Sequence, residues 1–99
     1  MKKNGVESAL VNQLLRSGTS VGANIHEAQY AQGTKDFISK LEISLKECKE
    51  SEYWLELLYE SGYIPEEDFR GIFADCQELM RILVASTKTL QGKSADADL

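Results

Sequence analysis

The sequence predicts an all-α fold, an up-and-down antiparallel helical bundle built from three long helices. Apolar residues recur at intervals of three and four through three successive stretches, and no stretch shows the period of two expected of a half-buried strand. The junctions between stretches carry residues that stop and start helices, Gly33-Thr34 at the first and Gly62 with Pro65 at the second.

The first helix is expected from about Gly5 to Ala31, with Val11, Leu14, Gly18, Val21, Ile25 and Ala28 along its apolar side. Gly33 suits the end of that helix, Thr34 can cap the next one, and Asp36 complements the new helix dipole. The second helix is expected to run to about Ser61 and stop at Gly62, burying Phe37, Ile38, Leu41, Leu45, Cys48, Leu55 and Leu58. Pro65 stands where a first helical position belongs, and Glu66, Glu67 and Asp68 supply the acidic first turn. The third helix uses Phe69, Ile72, Phe73, Cys76, Leu79, Met80, Leu83 and Leu90 and is expected to end near Gly92, leaving 93–99 as a flexible tail beyond a single domain over 1–92. Helices of about 26 residues are roughly 40 Å long. Joined by short connections they pack as antiparallel neighbours, and three of them leave one groove open.

Composition narrows the function classes. At 99 residues with 42% hydrophobic content, the chain is one small domain whose core gains from oligomerisation. No window approaches the apolar length of a membrane span, and no apolar run follows Lys2 and Lys3, so neither a membrane partner nor a signal peptide is expected and the cytoplasm is the expected location. Cys48 and Cys76 lack a nearby Cys or His at metal spacing and are expected to be reduced, buried thiols. The net charge of −5 divides into a slightly positive N-terminal third and two acidic thirds, with no basic block. Nucleic-acid binding would need a local cationic patch.

Within the first helix, Leu10, Leu14, Val21, Ile25 and Ala28 share one side while Gln13, Arg16, Ser20, Asn24 and Glu27 form a polar stripe. Arg16 and Glu27 stand about three turns apart and must each look to another helix or to water. Glu47, Glu50 and Glu52 of the second helix are the candidate partners. The expected structural polar network is Gln13, Arg16, Ser20, Asn24, Glu27, Glu47 and Glu50; the sharper alternative is a ligand or RNA-backbone contact by Arg16 and Asn24. Gly18 and Gly22 each cost about 1 kcal/mol relative to alanine inside a helix. Close approach of another helix is the expected compensation. With Tyr53, Trp54 and Tyr59 they form the candidate helix-contact or oligomer-interface set.

Catalysis finds no support in the residues, and no catalytic, cofactor-binding or metal-binding residue is assigned. Gly18-Thr-Ser-Val-Gly lacks the Gly-Lys-Ser/Thr ending of a phosphate loop. The one histidine, His26, has Ala23 three residues before it, so no Glu-x-x-His pair exists for a bundle metal site. Ser20 and His26 lie about 120° apart around the helix and cannot begin a nucleophilic triad. His26 is expected at the surface or an interface.

Three segments, Gln13 through Ala28, Lys35 through Ile43 and Lys46 through Leu58, resemble the bacterial four-helix-bundle proteins encoded in intervening sequences of 23S rRNA genes, relatives of the accessory variability determinant of diversity-generating retroelements. The resemblance runs from about residue 6 to 90 in order and spacing. It implies an up-and-down bundle that assembles as a homopentamer, with no established enzymatic activity. From the residues, no cofactor and no small-molecule substrate are expected. For the retroelement branch it implies association with RNA or DNA and a reverse transcriptase. The chain departs from the family pattern in lacking the usual first helix, so three family helices are expected. Either the start codon is set too far downstream, or this is a shortened member whose groove a neighbouring subunit fills. It departs also in charge, being acidic where the retroelement branch is basic. The leading expectation is a non-enzymatic, self-assembling interaction scaffold; the alternative is a nucleic-acid-binding accessory protein of a retroelement.

Overall fold

The computed structural model describes the backbone of residues 5–97 and the side chains of residues 5–90. Three α-helices follow one another, α1 (Gly5–Ala28), α2 (Thr34–Glu60) and α3 (Glu66–Ala97), with no strand among the described residues. The all-α bundle class is thus observed. The backbone is elongated, 59 × 21 × 14 Å. α2 is the central helix: α1 and α3 both pack on it, and their backbones do not approach each other.

The seams follow a four-three alternation. On α2, Leu41, Ser44, Cys48, Ser51, Leu55 and Leu58 are all buried. Such spacing keeps one narrow stripe against neighbouring helices. Val21 and Ala28 of α1 join Leu41 and Cys48 of α2 and Leu83 of α3 in one core, with Ile25, Phe37, Leu45, Leu79, Met80 and Leu90 packed against it. Burying each leucine contributes about 1.5–3 kcal/mol. Leu55 and Leu58, each 1% exposed, anchor the end of α2.

The second junction follows the sequence closely. Gly62 adopts φ +79°, a left-handed conformation that glycine takes without penalty. Its N–H donates to the Tyr59 carbonyl at 3.0 Å and the Tyr63 N–H to Leu58 at 2.9 Å, the two bonds of a Schellman stop. The Pro65 carbonyl then accepts the first bond of α3 from Phe69 at 3.0 Å, one residue ahead of Glu66.

Elsewhere the structure corrects the sequence reading. α1 ends at Ala28 rather than Ala31, because Gln29, Tyr30 and Ala31 bond back three residues, to His26, Glu27 and Ala28, in a tightened final turn. Gly33 caps α2 rather than ending α1; its φ of +157° is a conformation side chains rarely adopt. Thr34 is the first residue of α2 and not its cap, and no side-chain capping bond is made. Instead, Asp36 turns back to accept from the Gln32 N–H at 3.1 Å. α3 continues through Gly92 to Ala97, where a tail was expected. One glycine weakens a helix by about 1 kcal/mol without breaking it, and Lys93, Ala95 and Ala97 favour helix. Ile72, expected in the core, is 46% exposed. It lies two turns before Leu79, on the flank of α3 where no backbone from α1 comes close.

Candidate functional site

The polar stripe of α1 does not form one network. Arg16 gathers Gln13, Glu47 and Glu50: its Nε donates to Gln13 Oε1 at 3.0 Å, one terminal nitrogen to Glu47 Oε2 at 3.4 Å and the other to Glu50 Oε1. Glu50 Oε1 also accepts from the Trp54 indole at 3.2 Å. The hydrogen bond from Arg16 is the largest influence holding the Glu50 carboxyl below its ordinary range, and the reciprocal bond raises the Arg16 pKa. With its guanidinium directed at three acceptors, Arg16 is built to join α1 to α2.

Ser20 and Asn24 stand apart from that cluster. Asn24 Nδ2 donates to the Ser20 carbonyl at 2.9 Å and to its hydroxyl at 3.3 Å, one turn back on the same helix. Glu27 pairs with Lys40 at 3.0 Å, and that bond raises the Lys40 pKa. Lys40 was missed from sequence, and Glu52 does not reach Arg16; its carboxyl is raised chiefly by burial.

A second set of residues missed from sequence lies beneath the ion pairs. The Ser17 and Ser51 hydroxyls meet at 2.7 Å, and Ser44 Oγ donates to the Val21 carbonyl at 3.1 Å. Thr87 on α3 is buried too and bonds back to Leu83 at 2.7 Å. Ser17, Ser44 and Ser51 occupy the same four-three positions as the leucines around them, which was the signal available. Small hydroxyl side chains there allow close helix approach while every buried side-chain polar atom among the described residues keeps a partner.

The candidate contact set separates into different roles. Tyr59 stacks on Phe69 of α3, with centroids 4.4 Å apart and planes at 11°, and Phe69 meets Phe73 at 5.2 Å, tying α2 to α3. Trp54 is half-buried, with Tyr53 against it edge-on at 4.9 Å and turned outward. Gly18 and Gly22 are exposed, and a Cβ added at either would meet nothing within 4 Å. Among the described residues, neither is therefore a helix contact. His26 lies at the surface, edge-on to the exposed Tyr30 at 5.3 Å.

Both cysteines are free. Cys48 is buried, whereas Cys76 is only half-buried, which corrects the expectation of two buried thiols. Burial pushes the Cys48 thiol up to about 11 and raises Cys76 as well, so both are protonated near neutrality. Among the described residues no group of His, Cys, Asp or Glu could hold a metal ion, and no helix is long and apolar enough to cross a membrane.

These features define an antiparallel α-helical protein whose polar side chains cross-link its own helices and whose distinctive surfaces are helix flanks. The chain belongs to the family of 23S rRNA-intervening sequence proteins, whose model matches residues 2–85. It is similar to a crystal structure from Bacteroides thetaiotaomicron, described as a protein with unknown function from the S23 ribosomal protein family. The two share 51% sequence identity with a TM-score of 0.78, over 80% of this chain and 73% of that one. Comparison with curated proteins finds no match.

Proposed function

We propose that this chain is a non-enzymatic, self-assembling interaction scaffold, with the Gly18–Gly22 flank of α1 as a principal contact between copies. The observation that carries the reading is the open space beside those two glycines. Each destabilises α1 by about 1 kcal/mol relative to alanine. No other part of the described chain uses the close approach they permit. Leu15, on the same side of α1 as the two glycines, is 59% exposed, apolar surface that a second copy would cover. A homopentamer, as the family resemblance implies, is the expected assembly, and the free thiols suit a reducing cytoplasm.

The test is Gly22→Leu, followed by light scattering for mass and circular dichroism for helix content. The open space predicts an unchanged fold, and an interface at α1 predicts a smaller assembly. Unchanged mass would count against the reading. RNA or DNA as partner through Arg16 and Asn24 is the alternative; it would require Arg16 to leave Gln13, Glu47 and Glu50.

A further inference from the structure

The flank of the α2–α3 contact turned away from α1 carries two adjoining open grooves of about 530 and 420 Å³, which share Val84 and Lys88. No residue of α1 lines either. Their floor is apolar, with Leu45 from α2 and Met80 and Val84 from α3. The rim is cationic. Lys46 and Lys49 stand one turn apart on α2, and Arg81 and Lys88 two turns apart on α3. All four are exposed, and none forms an ion pair with a described residue, unlike Arg16, Lys40 and Arg70. Set against Glu42 and Glu52 in the same linings, these four cations leave the groove net positive in a chain of net charge −5.

From this arrangement we infer that the α2–α3 groove is a docking site for an acidic amphipathic helix of a partner protein, its apolar side on Leu45, Met80 and Val84 and its carboxylates against Lys46, Lys49, Arg81 and Lys88. An apolar floor between charged rims is the arrangement by which two helices receive a third. The dimensions agree. Glu42 and Glu52 line the two ends, ten residues apart on α2, or roughly 15 Å, the length of a helix of about three turns. Those same carboxylates disfavour a nucleic-acid strand, whose phosphates would run against an acid at each end. No aromatic ring lines the groove to stack a base either. Charge complementarity of this kind selects the partner and speeds its encounter.

The inference rests on reading the chain as an interaction protein, but its surface is separate from Gly18 and Gly22. The test uses the full chain and two labelled helical peptides of leucine on one face, one with glutamate and one with lysine on the flanks, measured by fluorescence anisotropy beside a labelled oligouridine. The wild-type chain is expected to bind the glutamate peptide at least about tenfold more tightly than the lysine peptide, with affinity falling as salt rises. Lys46→Glu/Lys88→Glu is expected to abolish or reverse that preference, and a gain of lysine-peptide binding excludes simple unfolding as the cause. Equal affinity for the two peptides, no binding of the glutamate peptide, an unchanged preference in the variant, or oligouridine binding that depends on these lysines in place of peptide binding would each overturn the inference. Light scattering on the same samples separates the two proposals. A monomeric wild-type chain that still prefers the glutamate peptide removes self-assembly alone, and an assembled chain without the preference removes the groove alone.

Discussion

The Ser17 hydroxyl on α1 lies 2.7 Å from the Ser51 hydroxyl on α2, both buried, directly beside the ion pairs from Arg16 to Glu47 and Glu50. Ser17 is also 3.1 Å from the Leu14 carbonyl and Ser51 2.9 Å from that of Glu47. Two hydroxyl protons thus serve three short contacts. Whichever serine donates across the interface, the other bonds back to its own helix, so neither is stranded. With Ser44 on Val21 and Lys40 on Glu27, these contacts fix the antiparallel register of α1 on α2.

The serine pair should be worth little singly. Ser17→Ala and Ser51→Ala are each expected to cost about 1 kcal/mol, the loss of one hydrogen bond of two, because the lone remaining hydroxyl keeps its backbone acceptor, and the double variant is expected to cost about the sum. Urea unfolding of the four chains measures this; a double variant costing clearly less than the sum would contradict the exchange of donors.

Arg16→Met should lower the melting temperature near neutral pH but not in strong acid. The folded-state pKa of Glu50 is depressed, so its contribution is present above the ordinary carboxylate value of about 4.3 and is lost as pH falls through the lower folded value. Thermal melts of wild type and variant at about pH 7 and about pH 2 are expected to differ at the first and converge at the second. A difference that persists in acid would assign the effect to packing of the arginine stem.

Leu55 is 1% exposed in the α2 seam. Leu55→Ala is expected to cost about 2–5 kcal/mol, enough to threaten a small domain, whereas Ile82→Ala at a 55% exposed position should cost well under 1 kcal/mol. Denaturation midpoints for the two variants measure the contrast.

The two thiols should react at different rates. Cys48 is buried with its pKa raised to about 11, and Cys76 is half-buried with a raised pKa. Near neutrality a thiol reagent is expected to modify Cys76 first and Cys48 only on unfolding, as followed by mass spectrometry with peptide mapping. The Cys48 shift has a stability consequence of definite sign. Its contribution is complete below the ordinary thiol value of about 8.5 and is lost as pH rises towards 11.

What was legible in the sequence were features whose chemistry is local. Gly62 and the acidic turn Glu66-Glu67-Asp68 each state their backbone role within a few residues and the structure places them accordingly, while Pro65, expected as the first helical residue, stands one position ahead of α3. Arg16 with Glu47 and Glu50 was legible because antiparallel helices bring the middle of one past the middle of the next. The serines were obscured because polarity masks a position that spacing assigns to the seam. Ile72 failed for the opposite reason, since its spacing is that of a core position but α1 brings no backbone to α3 that could cover it. Gly33 took the capping position expected of Thr34 because the turn depends on a glycine dihedral and on Asp36 reaching Gln32.

Self-assembly is tested most directly by absolute mass from light scattering coupled to gel filtration. The open flank at Gly18 and Gly22, with the family resemblance, predicts a mass near five times the 11.1 kDa chain. Gly22→Leu is expected to lower that mass with helix content unchanged. A wild-type mass equal to one chain would contradict it.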